Sequence, residues 1–257
     1  MDGTLLNDNK EITQPNLLAI KRALAEGIKF VLATGRMFEA AVPYAQVLGL
    51  DLPLIAYNGA LVKECQSQKV LQETFMAEDV TFEILHYCQQ KRLHVQAYWG
   101  GEVHTDRLND DSRWYSQIIK KPVLEIGEEL FTKKHRVYKL LVMTQPEHLQ
   151  GVWQEIEERF KGKVELTSSA QNFLEIITPG INKWHAVHFL SKLWRIRKDE
   201  IMCVGDGLND LAMIENAGVG VAVSNSHPLL LQHAKFVVGD NNHAALAQAI
   251  QIALDRE

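Results

Sequence analysis

Two stretches of the sequence alternate strand-like apolar runs with helical patterns, and this alternation limits the possible folds most. In the first stretch, "TQPNLLAIKRALAEG" has helical spacing, with Thr13 as its predicted cap and Gly27 as its left-handed stop. The apolar runs "IKFVLATGR" (28–36) and "PLIAYNGA" (53–60) follow, separated by the helical pattern "EAAVPYAQVLGL" (39–50). Continuous apolar runs are typical of buried parallel strands. The order predicts an open α/β sheet.

The second stretch begins after "PGIN" (179–182), where a helical pattern leads to the apolar runs "IMCVGD", "GVGVAV" and "FVVG". The residues between the two stretches follow a different pattern. There "HVQAYW" and "EVHTD" flank Gly100-Gly101 as in a β-hairpin, and later strand patterns adjoin with few helices between them. The sequence therefore predicts an antiparallel α+β insert at 78–178 within an α/β domain formed by 1–77 and 179–257.

Composition excludes several classes of protein. The net charge is −5, and the largest basic cluster is "KKHR" (133–136), so we expect no nucleic-acid partner. No apolar run approaches 18 residues and no signal peptide opens the chain, so we expect no membrane partner. The three cysteines form no CxxC pair, which suits a reducing compartment. We therefore expect a cytoplasmic protein.

Polar side chains gather directly after the predicted parallel strands. Ligands of an open parallel sheet bind beyond the carboxyl ends of its strands, so these side chains are candidates for one site. Lys183 belongs with them because it begins a helix that leads into the same sheet. The residues after the strands are Thr34, Gly35, Arg36, Asn58, Gly59, Asp206, Gly207, Asn209 and Asp210, joined by Asp2, Gly3 and Thr4 if a strand precedes them.

The chemistry of this set points to phosphoryl transfer. Clustered carboxylates without soft ligands suit Mg²⁺, whereas a threonine hydroxyl, backbone N–H groups and a lysine ammonium suit a phosphate dianion. A divalent cation and cationic donors offset the charge that repels a nucleophile. Each motif alone is weak: "DGT" is commonly a turn, and Asp206 or Asn209 could instead cap a helix.

Taken together, the motifs resemble those of the haloacid dehalogenase superfamily of phosphatases, and specifically its Cof-like branch. "MDGTLL" is similar to the end of the first motif, D-x-D-G-T-L-L, and "FVLATGR" resembles the second. "PGINKW" resembles the third motif and "GDGLNDLAM" the fourth, while "YNGA" and "GVGVAVSNS" resemble two further segments of the branch. The resemblance covers essentially the whole chain. It implies a Rossmann-like parallel-sheet core, with the insert as the α+β cap that covers the site and selects the substrate.

The chain opens inside the first motif. Met1 aligns with the x of D-x-D and Asp2 with its second aspartate, so the family's nucleophilic aspartate would stand directly before Met1. A strand of about 5–6 residues would precede it, between the "FVLAT" and "MCVGD" strands. Without that strand, two buried sheet edges would carry unpaired backbone groups, at a cost of roughly 1–3 kcal/mol each. We therefore expect the printed chain to be part of a longer, active protein; the alternative is a short form without catalysis.

The resemblance implies a Mg²⁺-dependent phosphatase of small phosphorylated metabolites, by default sugar phosphates, that acts through an aspartyl-phosphate. The implied catalytic residues are Asp2, which donates and accepts the proton, and Thr34 and Lys183, which hold the phosphoryl oxygens. The implied metal ligands are Asp206 and the backbone carbonyl of Asp2, with Asp210 in support. Further substrate contacts are expected from Gly35, Arg36, Asn58 and Asn209, and Asn225 is expected near the site.

Two alternatives stay open: a phosphomutase, and a phosphometabolite-binding protein without turnover. The identity of the substrate and the oligomeric state also stay open.

Overall fold

The computed structural model describes residues 1–49 and 53–255. The last residue of the predicted 39–50 helix, Leu50, lies outside the described residues. The helices are α1 (Gln14–Ala25), α2 (Phe38–Val47), α3 (Glu78–Lys91), α4 (Asp110–Ile119), α5 (Glu129–Thr132), α6 (Pro146–Arg159), α7 (Lys183–Trp194), α8 (Leu211–Asn216), α9 (Pro228–His233) and α10 (Ala245–Leu254). The strands are β1 (Pro53–Ala56), β2 (Leu61–Glu64), β3 (Val70–Glu73), β4 (His94–Trp99), β5 (Glu102–Thr105), β6 (Val123–Glu125), β7 (Lys139–Met143), β8 (Glu165–Thr167), β9 (Phe173–Ile177), β10 (Met202–Gly205), β11 (Val219–Val223) and β12 (Phe236–Val238).

Helix α1 has the predicted sequence but not the predicted cap. A proline lies in its first turn, and Gly27 follows it with φ +84°, in the left-handed region that favours glycine. Thr13 holds the N-cap position with an extended backbone, but its side chain makes no capping hydrogen bond. The prediction of Thr13 as a capping side chain is therefore wrong.

The protein has a mixed α/β fold with parallel strands in its core. Strands β10, β11 and β12 form a three-stranded parallel sheet, as the runs "IMCVGD", "GVGVAV" and "FVVG" predict. Strands β1, β2 and β3 form a second, antiparallel three-stranded sheet. The carboxyl ends of β1 and β10 lead into the segments that carry the predicted site residues.

The apolar run at 28–36 does not form the regular strand that its sequence predicts. It runs parallel to β1 through one bridge, Ala33 to Ile55, supported by hydrogen bonds from Thr34 N to Ile55 O and from Ile55 N to Leu32 O, both 2.9 Å. Its other side faces a cavity of about 1090 Å³ that separates it from β10 and is lined by side chains such as Val31 and Val204. A central strand is stabilised by partners on both edges, and this segment has a partner on one.

The insert forms one six-stranded sheet with the strand order β6-β5-β4-β7-β9-β8. Strands β4 and β5 form the predicted hairpin, with Gly100 and Gly101 both at positive φ. The sheet is mostly antiparallel, with β5 and β6 as a parallel pair. Its two faces pack differently: Leu140 and Val142 of β7 pack in the insert's own hydrophobic cluster, whereas Leu141 and Met143 join the main core cluster. The boundaries at 78 and 178 stay a prediction.

Aromatic rings join the insert to the rest of the protein. Tyr57 stacks on Tyr138 at a ring-centroid distance of 4.4 Å, and Tyr138 stacks on Phe75 at 4.5 Å. Tyr57 is fully buried and immediately precedes Asn58, so this stack holds a site segment against the insert. Within residues 1–49 and 53–255, none of the helices combines the length and apolar character needed to cross a bilayer.

Candidate active site

The loop after β10 holds a buried lysine–carboxylate pair. Nζ of Lys183, at the start of α7, donates to Oδ1 of Asp210 at 2.5 Å, and both side chains are almost fully buried. The other oxygen, Oδ2, accepts the backbone N–H groups of Asp206 at 2.9 Å and Gly207 at 3.2 Å. Asp210 therefore fixes both the lysine and the loop that carries Asp206.

The two carboxylates of this loop have opposite electrostatic character. Burial raises the pKa of Asp206, and the charge of Asp210 adds to this effect, so that it reaches about 6. For Asp210, burial acts in the same direction, but the charge and hydrogen bond of Lys183 outweigh it and lower the pKa. Among the residues that the structure describes, Asp206 has no ion-pair partner. Asp206 is thus the carboxylate that a cation would stabilise most.

The loop at residues 2–4 packs directly on Asp206. The hydroxyl of Thr4 donates to Oδ1 of Asp206 at 2.5 Å, and Asn225 Nδ2 donates to the carbonyl of Gly3 at 2.9 Å. Gly3 has φ +64°, and a Cβ at this position would overlap with the Asp206 carboxylate. A glycine is therefore required here both for its backbone conformation and for the close approach. Asn225 lies where the sequence predicts it, next to the site.

The carboxylate of Asp2 points toward Arg36. Nε of Arg36 donates to Oδ2 at 2.7 Å and Nη2 to Oδ1 at 2.5 Å, and Nζ of Lys10 lies 3.4 Å from Oδ1. Burial alone would raise the pKa of Asp2, but the paired hydrogen bonds and charge of Arg36 lower it to about 2. Since the Asp2 side chain is 37% exposed, solvent weakens this effect. In this arrangement Asp2 is ionised at neutral pH.

Thr34, Gly35 and Asn58 form a second wall of the site. The Thr34 hydroxyl is buried and accepts the backbone N–H of Arg36 at 3.1 Å, while the Thr34 carbonyl accepts the N–H of Asn58 at 3.0 Å. Asn58 has φ +57° and accepts a hydrogen bond from Asn209 Nδ2 at 3.0 Å. A Cβ on Gly35 would lie 2.8 Å from Oδ1 of Asn58, so the absence of a side chain permits this contact.

The structure thus brings the predicted residues together in three linked groups. Asp2 pairs with Arg36, Lys183 with Asp210 beside Asp206, and Asn58 with Asn209 beside Gly35. The assignment of roles to these residues stays a prediction. The side chain of Asp2 contacts Arg36 and Lys10 rather than Asp206, and the expected metal contact through its backbone carbonyl stays a prediction.

Sequence reasoning missed two residues of the insert that reach this site. Glu175 of β9 accepts a hydrogen bond from Asn58 Nδ2 at 2.6 Å and one from Lys139 of β7 at 2.7 Å. Both side chains are almost fully buried, with 1% and 2% exposed. Each is a charged residue inside an otherwise apolar strand pattern, "VYKLLVMT" or "NFLEIIT". That irregularity is a signal that could have found them, because buried charges are costly unless they are paired.

Comparison with known proteins identifies the family. The sequence profile of the haloacid dehalogenase-like hydrolases matches residues 1–250. The chain belongs to this family. The resemblance seen in the sequence is therefore confirmed, and the solved structure of a haloacid dehalogenase-like hydrolase from Bacteroides thetaiotaomicron has the same fold. It is 29% identical, with a TM-score of 0.86 and coverage of 98% of this chain and 96% of that chain.

Two curated relatives of this hydrolase come from Bacillus subtilis. YxeH, provisionally named a phosphatase, is 32% identical over 255 residues, which cover 97% of this chain and 94% of YxeH. YwtE, named a 5-amino-6-(5-phospho-D-ribitylamino)uracil phosphatase, is 28% identical over 277 residues, covering 97% of this chain and 94% of YwtE. Both alignments span nearly the full length of each partner, so the likeness includes the insert.

The site of this hydrolase fits a hard divalent cation at Asp206. Its carboxylate is buried and has a pKa raised by burial and by Asp210, so a cation there would relieve an unfavourable negative charge. Among the described residues, no group of three or more His, Cys, Asp or Glu side chains could hold a metal ion. A cation at Asp206 would therefore need further oxygen ligands, such as backbone carbonyls, water or substrate, and this donor set suits Mg²⁺.

Proposed function

We propose that this protein is a Mg²⁺-dependent phosphatase of small phosphorylated metabolites with a hydroxylated leaving group. One observation carries the proposal: the buried Lys183–Asp210 pair lies beside Asp206, whose carboxylate has a raised pKa and forms no ion pair among the described residues. An ammonium group beside a carboxylate of this kind is suited to a phosphate dianion and its cation.

Asp206 and the backbone carbonyl of Asp2 would hold the Mg²⁺, with Asp210 orienting the loop. When bound, Mg²⁺ supplies positive charge that offsets the charge of the phosphoryl oxygens. Lys183 and the hydroxyl of Thr34 bind those oxygens. The Thr34 oxygen accepts the N–H of Arg36, so its own hydrogen remains for a phosphoryl oxygen.

Asp2 transfers the proton in the proposed reaction. A nucleophilic aspartate attacks phosphorus, the ester P–O bond breaks, and the leaving oxygen takes the proton of Asp2. Asp2 then accepts a proton from water, whose oxygen attacks the aspartyl-phosphate and releases inorganic phosphate. Arg36 separates from Asp2 in this scheme, because Asp2 is a weak proton donor while Arg36 holds it ionised.

We assign the nucleophile to an aspartate directly ahead of Met1, on a strand between residues 28–33 and β10. The support is geometric. The cavity of about 1090 Å³ lies between these two segments, and its lining includes Met1, Leu32 and Val204. A strand in this position would pair with both edges and direct its last residue toward Asp206.

The relatives support the class of leaving group. YwtE is named for a substrate whose phosphate is carried by a ribityl chain, a linear polyol. We extend that class, a phosphorylated polyol, to this chain as part of the proposal.

Phosphometabolite binding without turnover is the second candidate. The paired hydrogen bonds between Arg36 and Asp2 favour it, because they keep the proton-transferring carboxylate ionised.

Hydrolysis of p-nitrophenyl phosphate in the presence of Mg²⁺ tests these assignments. Three proteins would be compared: the printed chain, a chain with an apolar strand ending in Asp ahead of Met1, and the same extension ending in Asn. We expect Mg²⁺-dependent turnover from the Asp extension and at most a small fraction of it from the other two. Equal turnover from the Asp and Asn extensions would contradict the assigned nucleophile. If none of the three proteins hydrolyses p-nitrophenyl phosphate but a sugar phosphate binds, the second candidate function, phosphometabolite binding without turnover, is correct.

A further inference from the structure

The insert turns a lysine–glutamate pair toward the catalytic loops. Strands β7 and β9 are antiparallel neighbours in which Leu141 pairs with Glu175, so Lys139, two residues earlier, lies on the same face as Glu175. This is the face that packs on the main core cluster rather than on the helices of the insert. The Lys139 ammonium also lies 4.7 Å from the centre of the Tyr98 ring, which belongs to the next strand, β4. The pair is therefore held by the centre of the sheet.

The Glu175 carboxylate reaches the loop that follows Thr34. Its Oε2 accepts Asn58 Nδ2 at 2.6 Å, and a Cβ on Gly35 would lie 3.3 Å from the same oxygen. Gly35 separates the two residues Thr34 and Arg36 that flank the proposed phosphate site. A carboxylate from the insert thus lies close to the proposed catalytic segment, with no room for a side chain between them.

The charge of Glu175 determines which half of a substrate it can contact. Burial would raise its pKa, but the charge and hydrogen bond of Lys139 outweigh this and lower it, so Glu175 is ionised. An ionised carboxylate repels phosphoryl oxygens and accepts hydrogen bonds from neutral donors such as hydroxyl groups. Since Lys139 compensates its charge, Glu175 does not require a cationic substrate.

The carboxylate also has acceptor capacity left. An ionised carboxylate offers about four lone-pair sites. The structure records three donors to Glu175: Asn58 and Lys139 at Oε2, and the hydroxyl of Ser169 at Oε1. A substrate hydroxyl can use the remaining site at Oε1 or replace the amide of Asn58.

We infer that Glu175 is the specificity-determining residue of the insert, that it accepts hydrogen bonds from the hydroxyl groups of the leaving group, and that Lys139 positions it. This inference rests on the proposed function, since it assigns the organic half of the substrate to the insert and the phosphate half to Thr34 and Lys183. It predicts selection for hydroxylated phosphate esters over esters with a plain alkyl chain of the same length.

Binding of three probes tests this assignment: inorganic phosphate, ribitol 5-phosphate and pentyl phosphate, each titrated calorimetrically in Mg²⁺ buffer. The preference is the ratio of the affinities for ribitol 5-phosphate and pentyl phosphate. If the protein hydrolyses these esters, the ratio of their kcat/KM values is used instead. We expect wild type to prefer ribitol 5-phosphate over pentyl phosphate by roughly tenfold or more, because the alkyl chain offers no donor to the remaining acceptor site of Glu175. Glu175→Gln should reduce that preference to about twofold or less, without a parallel loss of affinity for inorganic phosphate.

Two further variants separate recognition from folding. Glu175→Gln with Lys139→Met removes both charges, so no lysine is left unpaired, and it should lose the same preference. Glu83→Gln is the matched control, because Glu83 pairs with Lys163 at 3.1 Å on the exposed surface of the same insert. It should behave as wild type with all three probes.

Several outcomes overturn the inference. The inference is wrong if wild type binds ribitol 5-phosphate and pentyl phosphate with similar affinity. It is also wrong if both Glu175 variants keep the wild-type preference for ribitol 5-phosphate. A parallel loss of inorganic phosphate affinity in the Glu175 variants would show that the residue acts through the fold alone. Failure of wild type to bind inorganic phosphate would instead refute the proposed function, and this inference would fall with it.

Discussion

The protein contains two buried lysine–carboxylate pairs, and they are built differently. Lys183–Asp210 is held within the chain segments of the core, where Asp210 also accepts two backbone N–H groups of its own loop. Lys139–Glu175 lies in the insert, where Glu175 accepts side-chain donors from three separate segments, including Asn58 of the core. The first pair depends on local backbone geometry, whereas the second depends on how the insert sits over the core. The locally fixed Lys183–Asp210 pair suits the phosphate group, which all substrates share. The Lys139–Glu175 pair of the insert suits the leaving group, which varies between substrates.

Loss of the core pair should have the largest effect on phosphate recognition. Lys183→Met removes the proposed phosphate ligand and leaves Asp210 buried without its cation. We expect the affinity for inorganic phosphate, and kcat/KM of any ester that is turned over, to fall by roughly 10²–10³-fold. Calorimetry and steady-state kinetics measure this, with Lys192→Met on the exposed side of α7 as the control. A change smaller than threefold would exclude Lys183 from the phosphate site.

Loss of the insert pair should appear mainly in stability. Glu175→Gln leaves the Lys139 ammonium buried and unpaired, which we expect to lower the free energy of unfolding by roughly 3–5 kcal/mol. Glu83→Gln breaks an exposed pair in the same insert and should cost less than about 1 kcal/mol. Urea denaturation of both variants measures the difference. Equal stability of the two would mean that the Lys139–Glu175 pair is not buried in solution.

The contrast between the two pairs also explains what the sequence could predict. Asp206 and Asp210 follow a predicted strand and Lys183 begins a helix that leads into the same sheet, so their meeting point follows from the general rule for parallel sheets. Glu175 and Lys139 lie inside strands of the insert, and their meeting with Asn58 depends on how the insert packs on the rest of the protein. Periodicity within one strand carries no information about such packing.

Prediction of the fold from the sequence has the same limit, because local patterns indicate an element but not its partners. The parallel strands β10, β11 and β12, the hairpin of β4 and β5, and helix α1 follow from local sequence patterns. The run at 28–36 has the composition of a central strand, yet it forms one bridge to β1 because a cavity lies on its other side. Strand formation depends on partners, which a local pattern does not specify.

A metal titration against pH should distinguish Asp206 from Asp210. In the folded protein the pKa of Asp206 is raised from 3.8 to about 6, so the folded state binds a proton more tightly than the unfolded state. Stability therefore decreases as pH rises between about 3.8 and 6, and Mg²⁺ should offset that loss. We expect the Mg²⁺-induced rise in Tm to be small at pH 5 and to level off above about pH 7.

Below pH 6 the proton competes with the metal, so the apparent Mg²⁺ affinity should fall about tenfold per pH unit. Asp206→Asn should abolish this pH dependence and most of the Mg²⁺ response. A Tm shift by Mg²⁺ that is equal at pH 5 and pH 7.5 would contradict the assignment of Asp206 as metal ligand.

The smallest predicted effect concerns the contact between Arg36 and Asp2. Arg36→Lys keeps the positive charge but loses the paired hydrogen bonds to both oxygens of Asp2. The pKa of Asp2 should rise toward its ordinary value, by about one unit or less because the side chain is partly exposed. An NMR titration of the Asp2 carboxyl carbon measures this directly. A lower pKa in the variant would show that Arg36 is not what keeps Asp2 ionised.

The central claim is that the core pair reads phosphate and the insert pair reads the leaving group. The most direct test is to titrate inorganic phosphate and ribitol 5-phosphate into Lys183→Met and Glu175→Gln side by side. Lys183→Met should lose affinity for both ligands, whereas Glu175→Gln should lose affinity for ribitol 5-phosphate alone. Equal losses for both ligands in both variants would contradict the division of roles between the two pairs.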